Sequence, residues 1–374
     1  MRIARLMAVA RKEIIQIRRD PRSLGMAFVI PMILLFLYGY ALTLDVDRLT
    51  TIVYDQDRSA LSREFLERFL ASRYFTRVGT AADHRAVEQA LDAGGAQVGL
   101  VIPRDFGRDL ELGRPVVVQA LVDGTDSNTA TIALNYLEGI TARYSAQLTA
   151  ARVEGPLRAL PIEGRPRVWF NSTLQSKNYI VPGLIAVIMM VIAALLTSLT
   201  VAREWERGTM EQLIATPIRV PELILGKLLP YIGIGFIDVV LSVGAGTLIF
   251  GVPLRGSLVL LLSLALLFLV GALSLGMLIS IRAKSQIIAS QAAMVVTFLP
   301  AFLLSGFVFD IANMPGWLQA ITHVVTARYF VTILKGIFLK GVGLDVLWGE
   351  VTFLALFALV VVTACHRAFR KQLE

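Results

Sequence analysis

Arg203-Glu204-Trp205-Glu206-Arg207-Gly208-Thr209-Met210-Glu211-Gln212-Leu213 is the stretch that decides how this chain folds. Its dense alternation of charges cannot enter hydrocarbon, yet apolar runs press against it on both sides. Tyr179–Ala202 precedes it without a charge, and Leu228–Val252 follows with one, Asp238. The run therefore reads as a short surface loop between two membrane spans, with the spacing of an amphipathic helix lying along the bilayer. Helical spacing predicts Arg203 near Glu206 and Arg207, and Arg207 near Glu211, pairs that add about 0.2–0.5 kcal/mol each.

Working outward, composition agrees. Hydrophobic residues make up 56% of the chain and charged residues 17%, against roughly 25% charged in soluble domains. Crossing a bilayer takes about 20 apolar residues. Leu24–Leu44, Tyr179–Ala202, Leu228–Val252, Leu258–Ile281 and Ile287–Phe309 meet that outright, and Leu347–Cys365 does so with Glu350 in its first turn. The expected fold is an α-helical polytopic membrane protein of six transmembrane helices, with five as the competing count. Its spans occupy residues 23–44, 179–202, 228–252, 258–281, 287–309 and 346–365.

Basic residues set the topology. Arg2, Arg5, Arg11, Lys12, Arg18, Arg19 and Arg22 precede the first span. Arg203, Arg207, Arg219 and Lys227 follow the second, Arg282 and Lys284 the fourth, and Arg367, Arg370 and Lys371 fill the tail at 366–374. The short segments on the other side hold only Arg255, Arg328, Lys335 and Lys340. The positive-inside rule places both termini in the cytoplasm. The net charge of +8 is thus a topology signal, with no nucleic-acid partner implied.

Residues 1–22 read as an interfacial helix, with Ile3, Leu6, Met7, Ala10, Ile14 and Ile17 near one face and basic residues elsewhere. It is either a passive anchor or a moving elbow. Residues 45–178 read as an extracytoplasmic α/β domain inserted between the first and second spans. Strands are expected at Thr51–Tyr54, Tyr74–Val78, Val98–Ile102, Val116–Val122 and Arg167–Asn171, and helices at Ala60–Leu70, Asp83–Leu91, Asp105–Leu112 and Asn128–Arg152. Asp123-Gly124-Thr125-Asp126-Ser127-Asn128 lacks the Gly and Glu of a calcium loop at their positions and reads as a turn before a helix. Residues 310–345 suit short amphipathic or re-entrant helices, with Trp317 and Tyr329 at headgroup level and Asn313, Pro315 and Trp317 as an outer gate. A plain surface loop is the alternative.

Chemistry is sparse. One cysteine, Cys365, and three histidines in separate regions offer no metal site. No phosphate-cradling G-x-x-x-x-G-K-[ST] occurs, and no nucleophile–base cluster suggests hydrolysis, so no residue is assigned a catalytic role. Asp238 stands alone in its span, where a carboxylate costs at least about 2.5–3.5 kcal/mol. It is either a structural bond between helices or part of a polar route, together with Pro300, Ser305 and Gly306.

Glu204, Gly208, Thr209, Glu211 and Leu213, followed by Thr216 and Pro217, resemble the E-x-x-x-G-T-x-E-x-L…T-P loop of ABC-2 type transport permeases. Further likeness lies in Asp55-Gln56-Asp57, Ile102-Pro103-Arg104-Asp105-Phe106, Val122–Ala130, Leu304-Ser305-Gly306-Phe307 and Asn313-Met314-Pro315. The resemblance implies the permease subunit of a bacterial exporter of multidrug type with a large outer domain. It implies that residues 203–227, with Arg203, Glu204, Glu206, Arg207, Gly208, Thr209, Glu211, Leu213 and Pro217, couple to a separate ATPase that binds the ATP and magnesium. It also implies a second permease copy or paralogue, and an outer domain that shields the exit or docks a periplasmic adaptor. Competing readings are an outer-domain sensor, a subunit transmitting force without cargo, and an intramembrane enzyme.

Overall fold

The computed structural model describes residues 2–41, 48–72, 74–125, 127–152 and 175–373. The chain forms two compact units, Leu44–Arg167 and the combination of Met1–Thr43 with Val168–Glu374.

In the first of these, alternating apolar runs become β1 (Leu49–Asp55), β2 (Phe75–Thr80), β3 (Val98–Ile102) and β4 (Gln119–Val122), in the order β2-β1-β3-β4. β1 pairs parallel with β2 and β3, while β4 runs antiparallel to β3. Parallel neighbours need crossover helices, supplied by α3 (Ala60–Leu70) and α4 (His84–Asp92). Ser59 and Asp83 cap these helices by accepting from the Ser62 and Ala86 N–H groups. α5 (Phe106–Glu111) and the long α6 (Ser127–Arg152) complete the unit. Phe65, Phe69, Phe75, Leu100, Ile102 and Phe106 fill a core that Leu137 and Tyr144 of α6 close.

Two motifs recognised in sequence meet there. Asp55 accepts from the Asp57 and Arg58 N–H groups at 3.0 Å and from the Ser62 hydroxyl at 2.8 Å. Asp57 accepts the Gly107 N–H at 3.0 Å, stitching the end of β1 to α5. Asp123 accepts from the Thr125 hydroxyl and N–H, and this pair of donors holds its carboxyl below the usual carboxylate range. The strand expected from Val116 begins only at Gln119. The expected strand Arg167–Asn171 lies outside the described residues.

The second unit is helical. Its elements are α1 (Ile3–Arg18), α2 (Pro21–Ala41), α7 (Ser176–Glu206), α8 (Thr209–Ile214), α9 (Val220–Leu248), α10 (Leu258–Ala283), α11 (Gln286–Leu304), α12 (Gly316–Thr322), α13 (Thr326–Lys335) and α14 (Leu344–Leu373). Five of these, α7, α9, α10, α11 and α14, are long and apolar enough to cross a membrane. The pair Gly316–Thr322 and Thr326–Lys340, bent by 83°, raises the count to six if it is one span. α2, where a first span was expected, contributes the shorter apolar stretch Ala27–Ala41.

α7 is the axis of this unit, buried along nearly its whole length and packed by α10, α11, α2, α13 and α9. The α7–α10 crossing depends on Gly276, where a Cβ would lie 2.2 Å from the Ala194 carbonyl oxygen. Close approach lets the Thr197 hydroxyl donate to the Leu273 carbonyl at 2.7 Å. Small residues at such crossings are the usual means of bringing helices together in lipid.

Candidate functional site

The charged run does not form one helix. α7 ends at Glu206, Gly208 adopts a left-handed φ of 66°, and α8 starts afresh at Thr209. A residue without Cβ makes that reversal at no steric cost. Among the described residues the pairs expected within the run do not form: the break separates Arg207 from Glu211, and Arg203 and Glu206, though both on α7, bind distant partners instead. Arg203 meets Asp20 at 3.2 Å and Gln286 at 3.3 Å. Glu206 accepts from the Gln286 N–H at 2.7 Å and also from its side chain. Among the described residues, Arg207 and Glu211 have no ion-pair partner.

Glu204 turns inward. It is 3% exposed, and its Oε1 accepts from Lys227 Nζ at 3.0 Å and from Lys12 Nζ at 2.5 Å. Lys227, 1% exposed, also donates to Glu13 Oε1 at 2.7 Å. Two carboxylates and two ammonium groups thus join α1, the end of α7 and the start of α9. Gly226 permits the approach: a Cβ there would sit 2.8 Å from Val9 Cβ and 3.0 Å from the Leu6 carbonyl oxygen. Further ties are the Arg2 N–H donating to Glu222 at 2.6 Å and Arg5 donating to the Pro217 carbonyl.

The quartet sets which side of α1 packs on protein. Val9, Ala10, Glu13 and Ile17 are buried, whereas Ile3, Met7 and Ile14 are exposed. Glu13 joins the inward side of the helix because Lys227 of another helix partners it. Glu13, Lys12 and Lys227 were not among the expected site residues. Their one sequence signal is Lys227, a lone cation at the head of an apolar run.

What remains on the surface is narrower than the full run. Glu206, Arg207, Gly208, Glu211, Gln212, Thr216 and Pro217 are exposed, Arg203, Trp205, Thr209 and Leu213 are half-buried, and Met210 is buried. Lys284 sits 5.1 Å from the Trp205 ring centre. The exposed residues form a mixed-charge face over the buried cluster.

An apolar cavity of about 370 Å³ runs along α7 between α2 and α11. Ile30, Leu34 and Tyr38 form one wall, Val187, Ile188, Val191 and Leu195 the floor, and Met294, Phe298 and Phe302 the other wall. Gln16, Thr200, Arg203 and Tyr231 also line it. Since Arg203 belongs equally to the charged run, the cavity reaches that end of α7.

The remaining expected residues scatter. Pro300 lines a second cavity of about 300 Å³ beside the bent pair. Asp238 is 1% exposed, lines neither cavity, and its two oxygens have no hydrogen-bond partner among the described residues. Ser305 is buried with its hydroxyl unpaired among the described residues, while the Gly306 carbonyl accepts from both Tyr179 and Lys335. Asn313, Pro315 and Trp317 are exposed on and beside the short turn before α12. Tyr329 is not exposed alongside Trp317: it is 8% exposed, stacks on Phe353, and donates to the His323 carbonyl.

Comparison with known proteins is consistent along the chain. Residues 21–365 match the family described as ABC-2 family transporter protein. The chain is 40% identical over 339 residues to the probable multidrug ABC transporter permease YbhS of Escherichia coli, covering 90% of this chain and 89% of that protein. It is 32% identical over 371 residues to the probable multidrug ABC transporter permease YbhR of Escherichia coli, covering 98% and 99%. The linearmycin resistance permease protein LnrN of Bacillus subtilis is 21% identical over 394 residues, covering 98% and 99%.

Proposed function

Because this chain belongs to the ABC-2 family of transporter proteins, we propose that it moves hydrophobic or amphiphilic compounds, drugs or lipids, out across the cytoplasmic membrane. The family and the permease relatives make it a multi-pass inner-membrane transport subunit with no catalysis of its own. A separate ATPase binds ATP and magnesium, and a second permease copy or paralogue completes the assembly.

The observation that carries this reading is the split of the charged run into an inward and an outward half. Glu211, Gln212, Arg207 and Pro217 offer an exposed face for the ATPase. Directly beneath, Glu204 is locked to Lys227, Lys12 and, through Lys227, to Glu13. Force applied to α8 therefore reaches α1, α7 and α9 together. The same α7 forms the floor of the apolar cavity, so motion at the loop changes the shape of a compartment suited to greasy cargo. A subunit that only relayed force would need no such compartment.

In this reading both termini are cytoplasmic, six segments span the bilayer, and the α/β unit lies outside, where it shields the exit or meets a periplasmic adaptor. Asp238 lines neither of the two cavities described.

Affinity purification of the tagged chain in lipid-preserving detergent tests the proposal. A stoichiometric soluble partner with a Walker A motif is expected, and reconstituted pairs should export a lipophilic dye only with ATP. Repeated recovery without any ATPase would remove the exporter reading.

A further inference from the structure

At the end of α7 remote from Glu204, three segments converge on one carbonyl oxygen. Lys335 Nζ, from the end of α13, donates to the Gly306 carbonyl at 2.9 Å. The Tyr179 hydroxyl, from the first turn of α7, donates to the same oxygen at 3.1 Å. Lys335 Nζ also lies 3.4 Å from the Tyr179 ring centre, a cation–π contact. Gly306 itself turns with a left-handed φ of 76° just after α11.

This turn packs beside one end of the apolar cavity, through neighbours of its lining residues. Phe307 packs so closely on α7 that a Cβ at Gly183 would lie 2.5 Å from its ring. Its ring meets Phe302 edge-on at 6.0 Å, and Phe302, like Leu184 next to Gly183, lines the cavity. At about 1.5 Å per residue, Tyr179 and Glu204 are roughly 37 Å apart along α7, more than the hydrocarbon thickness of about 30 Å. The Gly306 turn and the charged run therefore face opposite sides of the bilayer.

We propose that Lys335 and Tyr179 form a release latch that holds the Gly306 turn over the cavity, and that letting go of this carbonyl opens the route by which cargo leaves. Chemistry suits the role. Among the described residues Lys335 has no carboxylate in ion-pair range: Asp310 attracts it from farther off, and its direct contacts are a neutral carbonyl and an aromatic face. Those contacts can be exchanged for water and headgroup oxygens, whereas the buried Lys227, Glu13 and Glu204 at the other end cannot separate without stranding a charge. Lys335 and Tyr179 act through the turn they hold, as positioning residues.

The latch gives meaning to cargo release only within the exporter reading, yet it can be tested without cargo or ATPase. Leu184→Cys places a thiol at the cavity top. In intact cells, a charged, membrane-impermeant maleimide should label it slowly in the otherwise native chain. Lys335→Met should raise that rate about tenfold, as expected for losing a hydrogen bond to a charged group. Lys335→Arg should restore protection, and Tyr179→Leu should open the site as Lys335→Met does. In permeabilised cells the buried Cys365 reports folding, because an unfolded variant labels there too; if Lys335→Met fails that check, Tyr179→Leu carries the test. Unchanged labelling in a folded Lys335→Met or Tyr179→Leu chain would overturn the latch, as would enhanced labelling only from the cytoplasmic side. Neither result touches the exporter reading, which stands or falls on recovery of the ATPase.

Discussion

Lys227 Nζ lies 2.7 Å from Glu13 Oε1, with both side chains almost wholly buried. The pair ties the N-terminal helix to the helix that follows the charged loop. Removing one member of such a pair strands the other charge and costs about 3–5 kcal/mol, whereas removing both together is far milder. Lys227→Met should therefore lower the unfolding midpoint strongly, and Lys227→Met with Glu13→Gln should recover much of the loss. Thermal unfolding in detergent reads both, and equal loss in the single and double variants would contradict the geometry.

Glu204 and Glu211 separate by the same reasoning. Glu204→Lys adds a third ammonium to the buried cluster and should destabilise the chain itself. Glu211→Lys alters an exposed residue with no ion-pair partner among the described residues, so folding should stay within about 0.5 kcal/mol. ATPase recovery in pull-downs should nevertheless fall. If Glu211→Lys bound the ATPase normally, the docking face would have to lie elsewhere.

Gly208 carries the reversal between α7 and α8 at a φ of 66°. Gly208→Val should cost about 1–2 kcal/mol through left-handed strain, and Gly208→Asn less. The informative measurement is export per ATP hydrolysed, which should drop for Val and stay near normal for Asn.

Gly276→Leu should separate α7 from α10, since even a Cβ would meet the Ala194 carbonyl oxygen at 2.2 Å. Overpacking of this kind costs typically about 1–3 kcal/mol. The unfolding midpoint should drop accordingly. Gly233→Leu, where a Cβ meets nothing within 4 Å, serves as the neutral comparison.

Leu195→Trp fills part of the cavity floor without touching the exposed loop. ATPase binding should persist while export of a lipophilic dye falls. Loss of both would mean that the cavity and the docking face are not separable.

Much of the architecture was legible because hydrocarbon imposes a simple length rule. Apolar runs of span length marked α7, α9, α10, α11 and α14, and Asp123-Gly124-Thr125 marked its turn. The site was less legible. The charged run was visible, but of the pairs expected from helical spacing, Arg207–Glu211 fell to the left-handed Gly208, and Arg203–Glu206 fell to the distant partners Asp20 and Gln286. Glu13 drew no reading from the sequence, because its partner Lys227 lies more than two hundred positions away.

By itself, then, the sequence determined that the chain lives in a membrane, which segments are apolar enough to enter it, and that a charged loop stays out. These follow from local transfer energies, which depend on composition alone. Only the tertiary structure decided which charges of that loop face inward, that α1 is pinned through Glu13 to the buried Lys227, and that Lys335 and Tyr179 meet on one carbonyl near an apolar cavity. Those are matters of three-dimensional neighbourhood, where a charge is tolerated in a dry interior only once a distant segment brings its partner.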